Sequence, residues 1–182
     1  AIPGPVTGTP DDRCFEREVD LYDDGSVEEY EFGIDVDDGF DIDEAGPGRI
    51  VAVVDQSAIT GNYDEGLDFD EEDAGGITVT MISLTGADNA DDAYKFSEEG
   101  AGDVVGALIA STAQGNGGVG AVFEEEEAGD VRVLVQDSLT AFNDDGETGL
   151  EVVQEDDGTG SLTVIGGDIQ DGIAADGVSV TR

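Results

Sequence analysis

The chain has 182 residues, with 46 Asp plus Glu against 6 Lys plus Arg, no His, and a formal net charge of -40 at pH 7. That balance opposes nucleic-acid binding, whose phosphate contacts come from Lys and Arg, and direct adhesion to an anionic membrane. The missing histidine removes the commonest general base, the usual Ser and Cys triads and the commonest zinc ligand, so no catalytic residues are assigned and the chain is not read as an enzyme.

So large a charge makes a compact state repel itself in dilute buffer. The Debye length shrinks to about 3 Å at 1 M salt, so the expected setting is concentrated salt, with cations condensed diffusely around the carboxylates. Ile, Val, Leu and Phe make up about a quarter of the chain, above the roughly 20% level below which disorder is the default. The lone cysteine, Cys14, cannot form an intrachain disulfide and reads as a small buried hydrophobe beside Phe15. No apolar run of about 18 residues is present to span a membrane. The stretch Ala1-Ile2-Pro3-Gly4-Pro5 lacks the basic region and apolar core of a signal peptide.

In chain order, residues 1–14 hold Pro3, Pro5 and Pro10 and read as an extended arm, because proline fixes φ and lacks an N–H donor. From residue 15 the period is two. Phe15, Arg17, Val19 and Leu21 alternate with Glu16, Glu18, Asp20 and Tyr22, and then Tyr30, Phe32, Ile34 and Val36 alternate with Glu31, Asp35 and Asp37. Such runs predict strands with an apolar and a carboxylate face. Asp23-Asp24-Gly25 between them predicts an antiparallel hairpin. Similar punctuation recurs at Asp37-Asp38-Gly39, Asp144-Asp145-Gly146 and Asp156-Asp157-Gly158.

Further strands are expected at 49–55, 77–84, 119–124, 130–136, 149–155, 160–166 and 177–181. The Asp- and Gly-rich segments 56–75 and 85–102 read as long loops. Over 103–113, Val104, Val105, Leu108 and Ile109 share a helical face, with Asp103 as N-cap, so one short helix is expected there and a buried strand is the competing reading. No internal repeat of 20 to 50 residues is evident beyond the shared turns. The fold class expected is therefore all-β: an antiparallel β-sandwich of jelly-roll type with about eight strands, forming a single domain over 15–182.

Gly115-Asn116-Gly117-Gly118-Val119-Gly120 matches GxGxxG in form, but four glutamates, Glu124 to Glu127, follow it, and the motif reads as a flexible turn with no cofactor. The clusters Asp35-Asp37-Asp38-Asp41-Asp43-Glu44 and Asp68-Asp70-Glu71-Glu72-Asp73 could offer carboxylate oxygen to Ca²⁺ or Mg²⁺, yet neither carries an EF-hand pattern, and no metal ligand is assigned. A two-carboxylate glycosidase is disfavoured by the absence of Trp and the presence of only four Tyr.

The arm at 1–14, the opening hairpin 15–36 and the closing strands 130–136, 149–155, 160–166 and 177–181 together resemble the small single jelly-roll major capsid proteins of icosahedral haloarchaeal viruses with an internal membrane. The resemblance implies a virion shell subunit located in the capsid, with copies of itself and a second, related capsid protein as partners and no catalytic residues to carry over. Two other roles compete with it. One is a decoration, tail or tail-tube protein of a haloarchaeal tailed virus. The other is a secreted or cell-surface β-sandwich that binds a ligand or another cell.

Overall fold

The computed structural model describes residues 15–21, 27–34, 38–72, 74–143 and 148–182. The chain divides into two units, Ala1–Asp37 and Asp38–Arg182. In the first, β1 (Phe15–Leu21) pairs antiparallel with β2 (Val27–Ile34), Phe15 opposite Ile34 and Val19 opposite Tyr30, with an irregularity between Asp20 and Leu21. The antiparallel pairing expected of this segment is observed. The arm 1–14 with Cys14, the turn Asp23-Asp24-Gly25 and the turn Asp144-Asp145-Gly146 lie outside the described residues.

The second unit is a parallel β-solenoid. Its coils carry three strands each: β3 (Phe40–Glu44), β4 (Ile50–Asp55) and β5 (Ala58–Thr60); then β6 (Leu67–Glu71), β7 (Gly76–Ile82) and β8 (Thr85–Ala87). The third coil holds β9 (Tyr94–Glu98), β10 (Asp103–Ile109) and β11 (Thr112–Gln114), and the fourth β12 (Val122–Glu125), β13 (Asp130–Gln136) and β14 (Leu139–Ala141). The fifth holds β15 (Leu150–Gln154), β16 (Thr159–Ile165) and β17 (Asp168–Ile169), and β18 (Ile173–Asp176) and β19 (Val178–Thr181) follow. Three parallel sheets result, ordered β18-β15-β12-β9-β6-β3, β19-β16-β13-β10-β7-β4 and β17-β14-β11-β8-β5, called here the first, second and third.

Equivalent positions lie 27 residues apart in the first four coils and 29 apart between the fourth and fifth. The antiparallel jelly-roll sandwich is thus overturned, and with it the absence of a repeat. The helix expected over 103–113 is strand: Val104, Gly106 and Leu108 alternate inward against exposed Asp103 and Val105, and β10 pairs in parallel with β7 and β13. Positions 104 and 108 share a face at period two as well as at 3.6, so the apolar pattern did not discriminate. The expected loops 56–75 and 85–102 contain β5, β6, β8 and β9; in β6 the outward carboxylates Asp68 and Asp70 alternate with buried Leu67, Phe69 and Glu71.

The interior is built from columns of like residues, since in-register stacking places each side chain over its equivalent one coil away. Phe69, Phe96 and Phe123 are fully buried, with ring centroids 5.3 and 5.1 Å apart. Gly106 faces this column: a Cβ there would lie 2.2 Å from the Phe123 ring. On the opposite sheet Ile77, Val79, Met81, Val104, Leu108, Val131, Val133, Val135 and Leu162 complete the core.

Polar columns hold the corners. Asn62 donates its side-chain amide to Asn89 Oδ1 at 2.8 Å, Asn89 to Asn116 at 2.9 Å and Asn116 to Asn143 at 2.9 Å, and Asp171 accepts from Asn143 at 3.0 Å. Just before each asparagine the backbone is left-handed, at Gly61, Asp88, Gly115 and Phe142. A second column, Glu44, Glu71, Glu98, Glu125 and Gln154, follows the last residue of each first-sheet strand inward. Four residues after each comes a glycine, Gly48, Gly75, Gly102, Gly129 or Gly158. Gly is needed at Gly129, where a Cβ would fall 1.5 Å from the Gly102 carbonyl oxygen of the coil before.

Candidate functional site: a carboxylate-free face and an acidic corner

Period two fixes what each sheet shows to solvent. Along the outer face of the second sheet one row reads Val51, Thr78, Val105, Arg132, Ser161, Ser179 and the next Val53, Thr80, Ala107, Leu134, Thr163, Thr181. Neither row contains a carboxylate, in a chain with 46 of them. Asp103 and Asp130 stand at one margin, where both pair with Arg132, its Nη1 3.0 Å from Asp103. Val51 and Val53 are 65% and 69% exposed and Ile165 52%. Parallel sheets are usually covered on both faces, so a bare row of β-branched residues on one is a candidate contact surface.

The first sheet presents the opposite chemistry. Asp68 and Asp70 alternate outward from β6 while Leu67, Phe69 and Glu71 point in. Lys95, one coil on, is the chain's only lysine. Its Nζ lies 3.1 Å from Asp68, 3.9 Å from Asp70 and 4.0 Å from Glu65. Burial alone would lower the Lys95 pKa, but the Asp68 and Asp70 carboxylates outweigh it and hold the ammonium above its ordinary range. Carboxylate oxygens of Asp38, Glu65 and Asp68 come within 4.8 Å of one another, as do those of Asp64, Glu65 and Asp91.

One cation does not satisfy so many anions. Burial first, and then the Asp68 charge, push Glu65 up to about 9. Burial likewise raises Asp70 to about 6 and Asp92 to about 6, the latter opposed by the Val119 N–H that Asp92 accepts. The corner is a proton- and cation-hungry patch of carboxylates gathered around one ammonium.

The acidic runs singled out in the sequence are dispersed by the fold. Asp38 joins Glu65 and Asp68, Glu44 and Glu71 enter the inner column, and Asp68 and Asp70 stay outside with Lys95. Asp35, Asp37 and Asp73 lie outside the described residues. The 115–120 glycine segment forms the corner between β11 and β12. Asn116 there belongs to the asparagine column, and a Cβ at Gly117 would meet the Ala90 carbonyl oxygen at 2.0 Å. No helix follows it, so the segment lacks the helix N-terminus of a dinucleotide site.

The carboxylate-free face was not evident from the sequence. The signal was present as Val51-x-Val53, Thr78-x-Thr80 and Ser161-x-Thr163 in strands of an otherwise acidic chain. No protein-family model, curated protein or solved structure matches the chain.

Proposed function

We propose that this chain is a structural, non-catalytic subunit that works on an exterior surface in concentrated salt and joins to a second copy of itself through the outer face of the second sheet. The jelly-roll shell role expected from the strand succession has lost its basis with the fold and is set aside. An assembly role remains, because the observation that carries it is the pair of carboxylate-free rows from Val51 to Ser179 and from Val53 to Thr181. Two polyanions with a formal charge of -40 each approach at least cost where neither presents a carboxylate, and concentrated salt screens the remainder.

Size supports the same reading. Six strands about 4.8 Å apart, each offering about six residues at 3.3 Å, give a face of roughly 500 Å² per copy. Two such faces total roughly 1,000 Å², the lower bound for a biological interface and short of the roughly 1,200–2,000 Å² that tight ones bury, so a weak, concentration-dependent pairing is expected. A two-fold pairing uses one patch twice and closes on itself.

Light scattering on the chain in about 3 M KCl, across a concentration series, tests the proposal. A mass that rises from one to two copies is expected. A single-copy mass at every concentration would overturn it.

A further inference from the structure

Glu71 and Glu98 are both fully buried, at 0% exposure. They are opposite each other in the parallel register of β6 and β9. Among the described residues, neither oxygen of either carboxylate has a hydrogen-bond partner. The Glu71 carboxyl and the Gly100 and Gly102 amides lie near Glu98, the first opposing its charge and the amides favouring it, and none of the three reaches good hydrogen-bond geometry. The neighbours in the same column are provided for. Glu44 accepts the Gly48 N–H at 3.1 Å. Glu125 accepts the Gln154 side-chain amide and the Glu127 N–H, and Gln154 in turn accepts the Val131 N–H at 3.0 Å.

Two buried carboxylates that face each other one strand spacing apart cannot both hold their charge unless a cation or a shared proton lies between them. We propose that the Glu71 and Glu98 carboxylates form a Ca²⁺ site inside the corner between the first and second sheets. Every donor atom here is oxygen, which selects a hard cation. Two carboxylates balance one divalent ion. The strand spacing of about 4.8 Å equals two Ca–O bonds of about 2.4 Å. Mg²⁺ demands near-ideal octahedral geometry at about 2.0–2.1 Å and keeps several waters, a poorer match to two carboxylates one strand spacing apart; Gly75 and Gly102 lie against the pair, a Cβ on these falling 2.3 and 2.8 Å from the Glu71 and Glu98 oxygens. Backbone carbonyls gather at the same corners, Gly48 against Gly75 and Gly102 against Gly129, and can add ligands.

The site is separate from the outer face of the second sheet, so it stands or falls independently of self-association. The test is calorimetric titration of CaCl₂ into chelator-treated protein in concentrated KCl, comparing wild type with Glu71→Gln/Glu98→Gln. The fifth rung shows that glutamine fits this column, and Glu98→Gln alone serves if the double variant fails to fold. Diffuse binding to outer carboxylates is common to all three proteins and cancels. Wild type is expected to bind one Ca²⁺ more than either variant, with at least a tenfold preference over Mg²⁺. Equal Ca²⁺ stoichiometry in wild type and variants would overturn the site, as would an equal response to Mg²⁺. A pair that shares a proton, with thermal stability following pH and ignoring Ca²⁺, would overturn it too.

Discussion

Asn116 accepts at one side-chain oxygen both the backbone N–H of Asn89, at 3.2 Å, and its side-chain amide, at 2.9 Å. It then donates its own amide and N–H to Asn143 in the same way. Each asparagine thus satisfies the corner of the coil before it, and Asp171, which only accepts, ends the series. Ladders of this kind need identical residues in register.

Replacing Asn116 by Ala strands both Asn89 donors in a buried corner, while Asn143 Oδ1 keeps the backbone N–H of position 116. The expected loss is about 2–3 kcal/mol, since each unsatisfied buried group costs about 1–3 kcal/mol. Denaturant unfolding in concentrated salt measures it. A loss below about 0.5 kcal/mol, the usual size of a surface change, would mean that the ladder contributes little.

Gly106→Ala places a methyl group against the Phe123 ring, inside its contact distance. Overpacking of this kind costs about 1–3 kcal/mol. The neighbouring Ala107, half-exposed on the outer face, tolerates Ala→Ser within about 0.5 kcal/mol. A thermal midpoint unchanged by Gly106→Ala would contradict the packing of β10 against the phenylalanine column.

Stability should fall as pH rises from mildly acidic to alkaline. Glu65, Asp70 and Asp92 have folded pKa values of about 9, 6 and 6, above their ordinary 4.5, 3.8 and 3.8. Between those limits the folded chain binds more protons than the unfolded one, so unfolding becomes easier with each proton lost. The Asp70 and Asp92 contributions are complete below pH 3.8 and gone above about 6, while that of Glu65 persists until about 9. Thermal melts at fixed salt should show a higher midpoint at pH 5 than at pH 8, and Glu65→Gln should flatten the upper part of the slope.

In-register stacking also sets like charge on like charge, as in Asp41 over Asp68 and Asp43 over Asp70. At about 4.8 Å each such pair repels by about 1 kcal/mol in water before screening. Lowering KCl from about 3 M to 0.1 M, where the Debye length reaches about 10 Å, should lower the thermal midpoint on the order of 10 °C. An unchanged midpoint would show that cations play no part in holding these rows together.

Nine of the nineteen strands described, among them β4, β7, β13, β15 and β16, were legible in the sequence, but the shorter strands and the direction of all but the opening pair were not. Val51 to Asp55 or Leu150 to Gln154 alternates in the same way whether its neighbours run parallel or antiparallel, because alternation reports only one wet and one dry face. The Asp-Gly turns then favoured hairpins. Direction was written in longer spacing: Asn62, Asn89, Asn116 and Asn143; Phe69, Phe96 and Phe123; and Glu-x-x-x-Gly from Glu44, Glu71, Glu98 and Glu125. High acidity masked it, since Glu71 inside and Glu72 outside look alike in a run of carboxylates. The carboxylate-free face was hidden for the related reason that its members come from six separate strands.

Sedimentation equilibrium of wild type beside Val53→Glu/Leu134→Glu in concentrated KCl tests self-association through the second sheet most directly. Both positions are on its outer face, Val53 exposed and Leu134 half-exposed, so the fold tolerates the change while the carboxylate-free rows are lost. Wild type should sediment as two copies and the variant as one, with matching circular dichroism. Equal masses for the two proteins would contradict the assignment of that face.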